Sequence, residues 1–158
     1  IVVGDDASTD ATRDIVRDFQ RRHPDLIRTH FPDRNLGRGG RPIFAQMVNA
    51  ARGDYIAMLD GDDYWIDRCK LARQVAFLDR NRGCAMCFHN AIVRWDDGSA
   101  PDRLMNGPWQ PRRCGIRHLL GSGCRVASCS PLFRRGALAP LPGWYSDMIW
   151  GDWPLYLL

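Results

Sequence analysis

The sequence predicts an α/β fold with a mostly parallel, Rossmann-like sheet flanked by helices. Two short apolar runs, residues 1–3 and 55–59, end in glycine and aspartate, which is typical of buried strands. Strand-like and helix-like segments alternate from residue 1 to residue 93, and this order favours parallel pairing. The composition, 45% hydrophobic and 25% charged over 158 residues, is that of one globular domain with a core of its own.

The first helix is predicted over residues 11–22, after the strand at residues 1–3. The side chains able to cap it are Ser8, Thr9 and Asp10. Pro24 ends it, because proline cannot continue a helix. Its apolar face is expected to comprise Ile15, Val16 and Phe19. A short strand at residues 26–31 follows.

A loop with three glycines over residues 32–40 separates this strand from the second helix. Pro42 occupies the first turn of that helix, and Gly53 ends it. The apolar face of this helix is expected to comprise Phe44, Ala45, Val48 and Ala51. Residues 54–59 then form the central strand.

The third helix is predicted over residues 66–80, and a fourth strand over residues 84–93. The inward face of this helix is expected to comprise Leu71, Val75 and Leu78. Pro, Gly, Asp and Asn are frequent over residues 94–113, which indicates a long functional loop. The remaining predicted segments are a helix at 116–120, a strand at 126–133, a turn at 140–143 and an aromatic-rich stretch at 144–153.

Aspartates cluster at the ends of two predicted strands. Asp5 follows the first strand, and Asp60-Gly61-Asp62-Asp63 follows the central one. Ligands of α/β sheets bind beyond the carboxyl ends of the strands. Carboxylates that converge there repel one another by roughly 4 kcal/mol per pair at about 4 Å, and a divalent cation relieves this repulsion. Because Mg²⁺ and Mn²⁺ accept one or two carboxylates together with phosphate oxygens and water, the pattern predicts a metal-assisted site for a phosphorylated ligand.

Several motifs resemble, in the same order, those of glycosyltransferase family 2. They are GDDASTDAT at residues 4–12, NLG at 35–37, YIAMLDGDDYW at 55–65, KLARQVAFL at 70–78, MCFHNA at 86–91 and GDWPL at 151–155. The resemblance spans nearly the whole chain. It implies a GT-A fold and transfer of a sugar from a nucleotide-diphosphate donor, usually with inversion.

The resemblance implies a role for four aspartates. Asp5 is similar to the aspartate that contacts the nucleobase, and Asp60 to a ribose-side or metal-side carboxylate. Asp62 is similar to the direct ligand of Mg²⁺ or Mn²⁺. Asp152 is similar to the general base that takes the proton of the acceptor hydroxyl. A carboxylate suits that step because a sugar hydroxyl is a poor nucleophile without a base within hydrogen-bond reach.

The resemblance also implies the partners. They are a nucleotide-diphosphate sugar donor, with uridine and thymidine the commonest bases, and a saccharide, lipid-linked or protein acceptor. The product class is a polysaccharide of the cell envelope, and the expected location is the cytoplasm, with peripheral contact at the inner face of the membrane left open. No run approaches the roughly 18 apolar residues that a membrane helix needs.

The chain departs from the family pattern at two places. The family's N-terminal strand with a Thr-Tyr-Asn-like motif is missing, and Gly151 stands where many members have Glu. The missing strand, an opening at Ile1 within a strand pattern and an apolar segment at residues 153–158 without a cap lead us to expect a partial catalytic domain, truncated at both ends. Its nucleotide-sugar half is expected over about residues 1–93 and its acceptor-side half over about residues 94–158. Activity of this piece by itself is left open.

Several polar side chains near the predicted site also fit structural roles. Asp6 and Asp10 are typical of a turn and of a helix start. Asp63 fits capping or indirect support of the metal site, and Trp65 fits either stacking on a ligand or packing against the third helix. His89 lies on a predicted strand and is interpreted as a core histidine.

Three further residues keep two interpretations. Arg134 and Arg135 face either the diphosphate or solvent. Asp152 also fits a helix cap, because proline in the first turn after aspartate is a helix-start signal. A cap and a general base are compatible roles for one carboxylate.

Rival functions fit the sequence less well. A phosphoacceptor receiver module needs a lysine at a later strand end, whereas the single lysine of this chain, Lys70, lies on a predicted helix. A phosphatase of the D-x-D haloacid type does not continue as Asp63-Tyr64-Trp65. A non-catalytic sugar-nucleotide-binding module remains an alternative. Asp152 distinguishes the two, because an enzyme needs this carboxylate in the pocket as a base and a binding module does not.

The net charge of +4 and the six cysteines suggest two other binding partners. Nucleic acid is not expected, because the arginines are scattered among aspartates and no basic helix with interleaved aromatics occurs. Zinc at Cys84, Cys87 and His89 lacks a second ligand pair at metal spacing, since Cys124 and Cys129 are five residues apart. Reduced thiols, buried as small apolar groups, are favoured.

Overall fold

A computed structural model describes residues 1–121 and 125–158, so that Cys124 lies outside the described residues. The chain is α/β and divides into two compact units. The first unit comprises residues 1–53 and 138–155, and the second comprises residues 54–137 and 156–158. The predicted division into a nucleotide half and an acceptor half near residue 93 stays a prediction. No helix among the described residues combines the length and the apolar character needed to cross a membrane.

The first unit contains one parallel strand pair. Strand β1 (Val2–Gly4) pairs with strand β2 (Arg28–His30), and helix α1 (Thr12–Arg22) connects them. Helix α1 begins where Asp10 Oδ1 accepts the backbone N–H of Thr12 at 3.0 Å, which confirms the predicted helix and its start. The apolar face predicted for this helix is not buried among the described residues, since Ile15 and Phe19 are 56% and 46% exposed.

Helix α2 (Arg41–Ala50) packs close to β1 at Gly4. A Cβ at Gly4 would lie 3.0 Å from Ile43 Cγ1 and would collide with Met47, so glycine permits this approach. Pro42 stands in the first turn of α2 as predicted. The residues that the helix buries are Ile43 and Val48.

A three-stranded sheet organises the second unit. Strand β7 (Leu132–Arg134) lies between β3 (Tyr55–Ala57) and β4 (Met86–Cys87), and it is antiparallel to both. Pairing between β5 (Ile92–Val93) and β6 (Arg103–Leu104) is also antiparallel. The mostly parallel sheet is therefore not confirmed among the described residues. The core of this sheet includes Ile56, Leu78, Leu132 and Phe133.

Helix α3 (Lys70–Arg80) begins four residues later than predicted. Asp67 explains the difference, because its Oδ1 accepts the N–H of Cys69 at 2.8 Å and its carbonyl accepts the N–H of Lys70 at 3.1 Å. The predicted inward face is wrong in part. Leu71 is 40% exposed, and the residues that the helix buries are Lys70, Gln74 and Leu78.

The strand predicted over residues 84–93 is broken into β4 and β5. Asn90 marks the break, since its Oδ1 accepts the N–H groups of Ala91 and Asn106 at 3.0 and 2.9 Å. The predicted loop at 94–113 contains β6, which returns antiparallel to β5. The helix predicted at 116–120 is confirmed as α4 (Ile116–Leu120). The strand predicted from residue 126 begins later, after a turn in which Ser130 N–H donates to Ala127 O at 2.9 Å, and α5 (Arg135–Leu138) follows it.

Candidate active site

Asp5 is a buried carboxylate at the carboxyl end of β1. It is 7% exposed, and its backbone N–H donates to His30 O at 3.1 Å, which continues the pairing with β2. Its Oδ1 accepts the N–H of Ser8 at 3.0 Å and Arg13 Nε at 2.6 Å. Burial raises the pKa of Asp5, but the hydrogen bonds from Ser8 and Arg13 outweigh it and hold the pKa below the ordinary value. Asp5 is therefore an anion with one oxygen already engaged.

Asp6 joins the first acidic segment to the NLG motif at residues 35–37. Its Oδ1 accepts the N–H of Leu36 at 2.7 Å, and its carbonyl accepts Asn35 Nδ2 at 2.9 Å. Gly37 adopts φ of 73°, a conformation that favours glycine. Asp6 thus forms a structural link between two loops, in agreement with the turn interpretation.

Asp152 lies at the start of a 3-10 helix, Trp153–Leu157. Its Oδ1 accepts the N–H of Trp153 at 2.8 Å, and its carbonyl accepts the N–H of Leu155 at 3.0 Å. The hydroxyl of buried Tyr145 donates to the carbonyl of Gly151 at 2.7 Å and so fixes the backbone directly before Asp152. The helix-cap interpretation is confirmed. The carboxylate is half-buried, and its role as a general base stays a prediction.

Asp60 and Asp62 lie in one exposed turn beyond the end of β3. The turn is closed by a 3.2 Å hydrogen bond from the N–H of Asp63 to Asp60 O. Within residues 1–121 and 125–158, neither the Asp60 nor the Asp62 carboxylate forms an ion pair or a hydrogen bond. This contrasts with Asp5, whose carboxylate is already paired.

A cavity of about 630 Å³ opens beside this turn, within the second unit. Its lining includes Asp62, Asp63, Trp65 and Lys70. Trp65 Nε1 donates to Cys129 O at 2.9 Å, and the Trp65 ring lies 4.2 Å from Lys70 Nζ. Packing of Trp65 against the third helix is thereby confirmed. Burial, and then the negative charge and hydrogen bond of Asp63, raise the pKa of the Cys129 thiol.

Asp5 and Asp152 belong to the first unit, and Asp60 and Asp62 belong to the second. The two carboxylates of the second unit share one turn and therefore lie close in the chain. The predicted convergence of Asp5 with Asp62 stays a prediction.

The profile described as Glycosyl transferase family 2 matches residues 1–138. The chain belongs to this family. The putative glycosyltransferase EpsE of Bacillus subtilis (strain 168) is 35% identical over 146 residues, which are 92% of this chain and 49% of that protein. An uncharacterized protein of Mycobacterium tuberculosis (strain ATCC 25618 / H37Rv) is 38% identical over 110 residues, 70% of this chain and 31% of its own length.

Two relatives carry more specific names. The putative teichuronic acid biosynthesis glycosyltransferase TuaG of Bacillus subtilis (strain 168) is 31% identical over 108 residues, 68% of this chain and 41% of that protein. The UDP-Glc:alpha-D-GlcNAc-diphosphoundecaprenol beta-1,3-glucosyltransferase WfaP of Escherichia coli is 32% identical over 82 residues, 52% of this chain and 30% of that protein. The chain thus spans between about a third and a half of the length of these curated relatives.

The family 2 chain offers hard oxygen donors to a metal ion, but few of them. Among the described residues, no group of three or more His, Cys, Asp or Glu side chains is placed to hold a metal together. Asp60 and Asp62 nevertheless fit Mg²⁺ or Mn²⁺, because these ions accept one or two carboxylates and take their other ligands from phosphate and water. Both carboxylates are exposed in one turn, and no partner among the described residues competes with a metal ion for them.

Arg134 has neither of its two predicted roles. Its guanidinium donates to the carbonyls of Cys84 at 2.9 Å and Leu78 at 2.6 Å, and it lies over the ring of Tyr55. It therefore ties the end of α3 to β7 instead of facing a diphosphate or solvent, whereas Arg135 is exposed. His89 is half-buried, its Nδ1 contacts Asn90 O at 2.6 Å, and its buried Nε2 has no hydrogen-bond partner among the residues that the structure describes.

Sequence analysis did not predict three sets of polar contacts near the candidate site. Arg13 holds Asp5, and its position in the first turn of a helix that follows the acidic segment is the signal that could have identified it. Lys70 and Gln74 are buried on α3, and their spacing of four residues, continued by Leu78, is that of a helix face. Arg94 pairs with Asp102 at 2.6 Å and donates to Tyr64 OH at 2.9 Å, which links the β5–β6 hairpin to the acidic turn.

Proposed function

We propose that this family 2 glycosyltransferase chain transfers a sugar from a nucleotide-diphosphate donor to an acceptor hydroxyl with inversion, assisted by Mg²⁺ or Mn²⁺. Family membership supports sugar transfer in general. The observation that carries the specific proposal is the exposed pair Asp60 and Asp62, which has no ion-pair or hydrogen-bond partner within residues 1–121 and 125–158 and lies at the end of β3, beside a cavity of about 630 Å³. We infer a GT-A type arrangement for the complete catalytic domain.

Asp62 would hold the metal ion, and Asp60 would be its second carboxylate ligand or a contact to the ribose. When bound, the ion supplies Lewis-acid neutralisation of the charge that gathers on the leaving diphosphate. No protein cation competes with the metal ion for these two carboxylates, because neither pairs with an Arg or Lys among the described residues.

Asp5 would recognise the nucleobase. An ionised carboxylate can only accept hydrogen bonds, so its partner would be a ring N–H, such as that of uracil or thymine. The N–H of Ser8 and Nε of Arg13 donate to Oδ1 and orient the carboxylate. The lowered pKa keeps the carboxylate ionised throughout the neutral range.

Asp152 would take the proton of the acceptor hydroxyl as its oxygen attacks the anomeric carbon. The new carbon–oxygen bond forms as the bond to the diphosphate breaks on the opposite face, which inverts the configuration. The Trp153 N–H holds Oδ1 and Tyr145 fixes the preceding backbone, so the carboxylate is oriented before substrate arrives.

The names of two relatives support a proposal for the acceptor class. TuaG is named for teichuronic acid biosynthesis, and WfaP for an acceptor linked to diphosphoundecaprenol. These names support a saccharide or lipid-linked acceptor and a glycan of the cell envelope as the product. Work in the cytoplasm, with peripheral contact at the membrane, is part of the same proposal.

The test uses the full-length protein and calorimetry with uridine and thymidine diphosphate sugars in the presence of Mg²⁺. Asp62→Ala should abolish metal-dependent donor binding, whereas Asp152→Asn should preserve binding and stop transfer. Asp96→Ala is the matched control, because Asp96 is exposed and lines the same cavity. Equal donor affinity of Asp62→Ala and wild type counts against the site. Donor binding without turnover in the wild type would instead identify a sugar-nucleotide binder.

A further inference from the structure

Lys70 is the single lysine of the chain, and it is buried at the first position of α3. The residue is 5% exposed, and Gln74 and Leu78 continue the buried face at 8% and 0%. Burial lowers the pKa of its ammonium group, and the thiols of Cys129 and Cys87 oppose that shift. A buried cation is costly unless it is paired, so its environment decides what it does.

The contacts of the Lys70 ammonium are neutral. Nζ donates to Gln74 Oε1 at 2.8 Å and lies 4.2 Å from the centre of the Trp65 ring. Gln74 is itself held by donating to Ser130 O at 2.9 Å. In the part of the chain that the structure describes, no carboxylate lies within ion-pair distance of Lys70. An ammonium has three N–H donors, and Gln74 takes one of them.

The other cations that line the cavity are compensated. Arg73 pairs with Asp67 at 2.9 Å, and Arg94 pairs with Asp102 at 2.6 Å. Lys70 differs from both, because it is the more buried and has no carboxylate partner among the described residues. A buried, uncompensated charge that lines a cavity is the kind of group that a ligand of opposite charge completes.

We propose that Lys70 binds an oxyanion of the ligand that occupies this cavity. The proposal deepens the proposed function and rests on it for the ligand class, a sugar nucleotide. Two of its groups carry the required chemistry: the diphosphate, and the carboxylate of an acidic sugar such as a hexuronate. A lysine suits either, because its ammonium acts as a compact point charge without a fixed orientation.

Two carboxylates of the cavity lining make this binding conditional. Asp62 and Asp63 repel an anion that enters the cavity, and the cation proposed at Asp62 offsets that repulsion. The oxyanion is therefore expected to bind Lys70 more tightly in the presence of Mg²⁺ than in its absence.

The direct test observes the Lys70 ammonium by NMR in the full-length protein labelled with ¹⁵N-lysine. The signal is assigned by its loss in Lys70→Arg. Pyrophosphate and glucuronate, each added with Mg²⁺, are the probes. A shift of the Lys70 signal with either anion, but not with glucose, supports the proposal. A signal that neither anion moves overturns it, and this result is read on the wild-type protein, with Lys70→Arg serving only to assign the signal.

Affinities then distinguish the two sources of the oxyanion. Calorimetry compares UDP, UDP-glucose and UDP-glucuronate binding to wild type, Lys70→Met and Arg73→Met. A loss of tenfold or more for all three probes in Lys70→Met assigns the diphosphate, and a loss confined to UDP-glucuronate assigns the sugar carboxylate. Arg73→Met should stay within threefold. If Lys70→Met binds every probe within threefold of wild type, the assignment to Lys70 is wrong, whereas a wild type that binds no sugar nucleotide contradicts the proposed function instead.

Discussion

Arg13 and Asp5 join the first turn of α1 to the end of β1 through a 2.6 Å contact between Nε and Oδ1. The same guanidinium donates through Nη2 to the carbonyls of Asp5 at 3.0 Å and Pro32 at 2.7 Å. Three oxygens from two loops thus converge on one arginine. This cluster is what fixes the proposed nucleobase carboxylate in place.

Arg13→Met should destabilise the protein by about 1 to 3 kcal/mol at neutral pH, because it leaves a buried carboxylate without its cation. The pKa of Asp5 is lowered from 3.8 in the folded state, so its stabilising contribution is fully present above that value. The contribution is lost as pH falls through the lower, folded value. Urea denaturation at about pH 7 and about pH 3 should therefore show a smaller gap between variant and wild type in acid.

Arg21→Met is the control for this prediction, because Arg21 pairs with Asp18 on the exposed surface of the same helix. It should change stability by less than about 0.5 kcal/mol at either pH. If the stability difference between Arg13→Met and wild type is the same at about pH 3 as at about pH 7, the carboxylate of Asp5 is not the partner through which Arg13 stabilises the fold.

Tyr145→Phe should lower the rate of transfer more than it lowers donor affinity. The variant removes the hydroxyl that donates to Gly151 O, next to Asp152, and leaves the buried ring in place. The lost hydrogen bond corresponds to about 0.5 to 1.5 kcal/mol of stability. Steady-state kinetics should show a severalfold lower kcat, and calorimetry an unchanged donor Kd. A variant with wild-type kcat would mean that Tyr145 does not help to position Asp152.

The sequence predicts elements well where a local signal marks them. Asp10 marks the start of α1, and Pro42 the first turn of α2. Strand pairing is different, because it depends on segments far apart in the chain. Strand β7 comes between β3 and β4 only in space, so the order of the elements suggested parallel neighbours where the structure has antiparallel ones.

The candidate site likewise has a part that the sequence predicts and a part that it does not. Its aspartates are visible in the sequence because they end strands, whereas the partners of those aspartates come from other elements. Arg13 is one such partner, and Lys70 and Gln74 are polar residues that occupy a buried face predicted to be apolar. They satisfy each other through a hydrogen bond, which a pattern of hydrophobicity does not register.

Leu78→Ala and Leu71→Ala test which face of α3 is buried. Leu78 is fully buried, and its truncation should cost about 2 to 5 kcal/mol through lost burial and the cavity left behind. Leu71 is 40% exposed, so the same truncation should cost less than about 1 kcal/mol. Both changes remove the same atoms from one helix, and urea denaturation compares them directly. Equal losses of unfolding free energy in the two variants would mean that Leu71 is buried like Leu78, as the sequence predicted.

Chelation of divalent metal should weaken donor binding, and Mg²⁺ or Mn²⁺ should restore it. Asp62→Asn should raise the metal concentration needed for half-maximal donor binding by tenfold or more, because a neutral amide is a poorer ligand for a hard cation than a carboxylate. Asp60→Asn should have the same effect if Asp60 is on the metal side, and should weaken donor binding equally at all metal concentrations if it is on the ribose side. Calorimetric titrations of donor at several Mg²⁺ concentrations separate these outcomes. Donor binding that is identical in chelator and in Mg²⁺ would remove the metal from the proposed reaction.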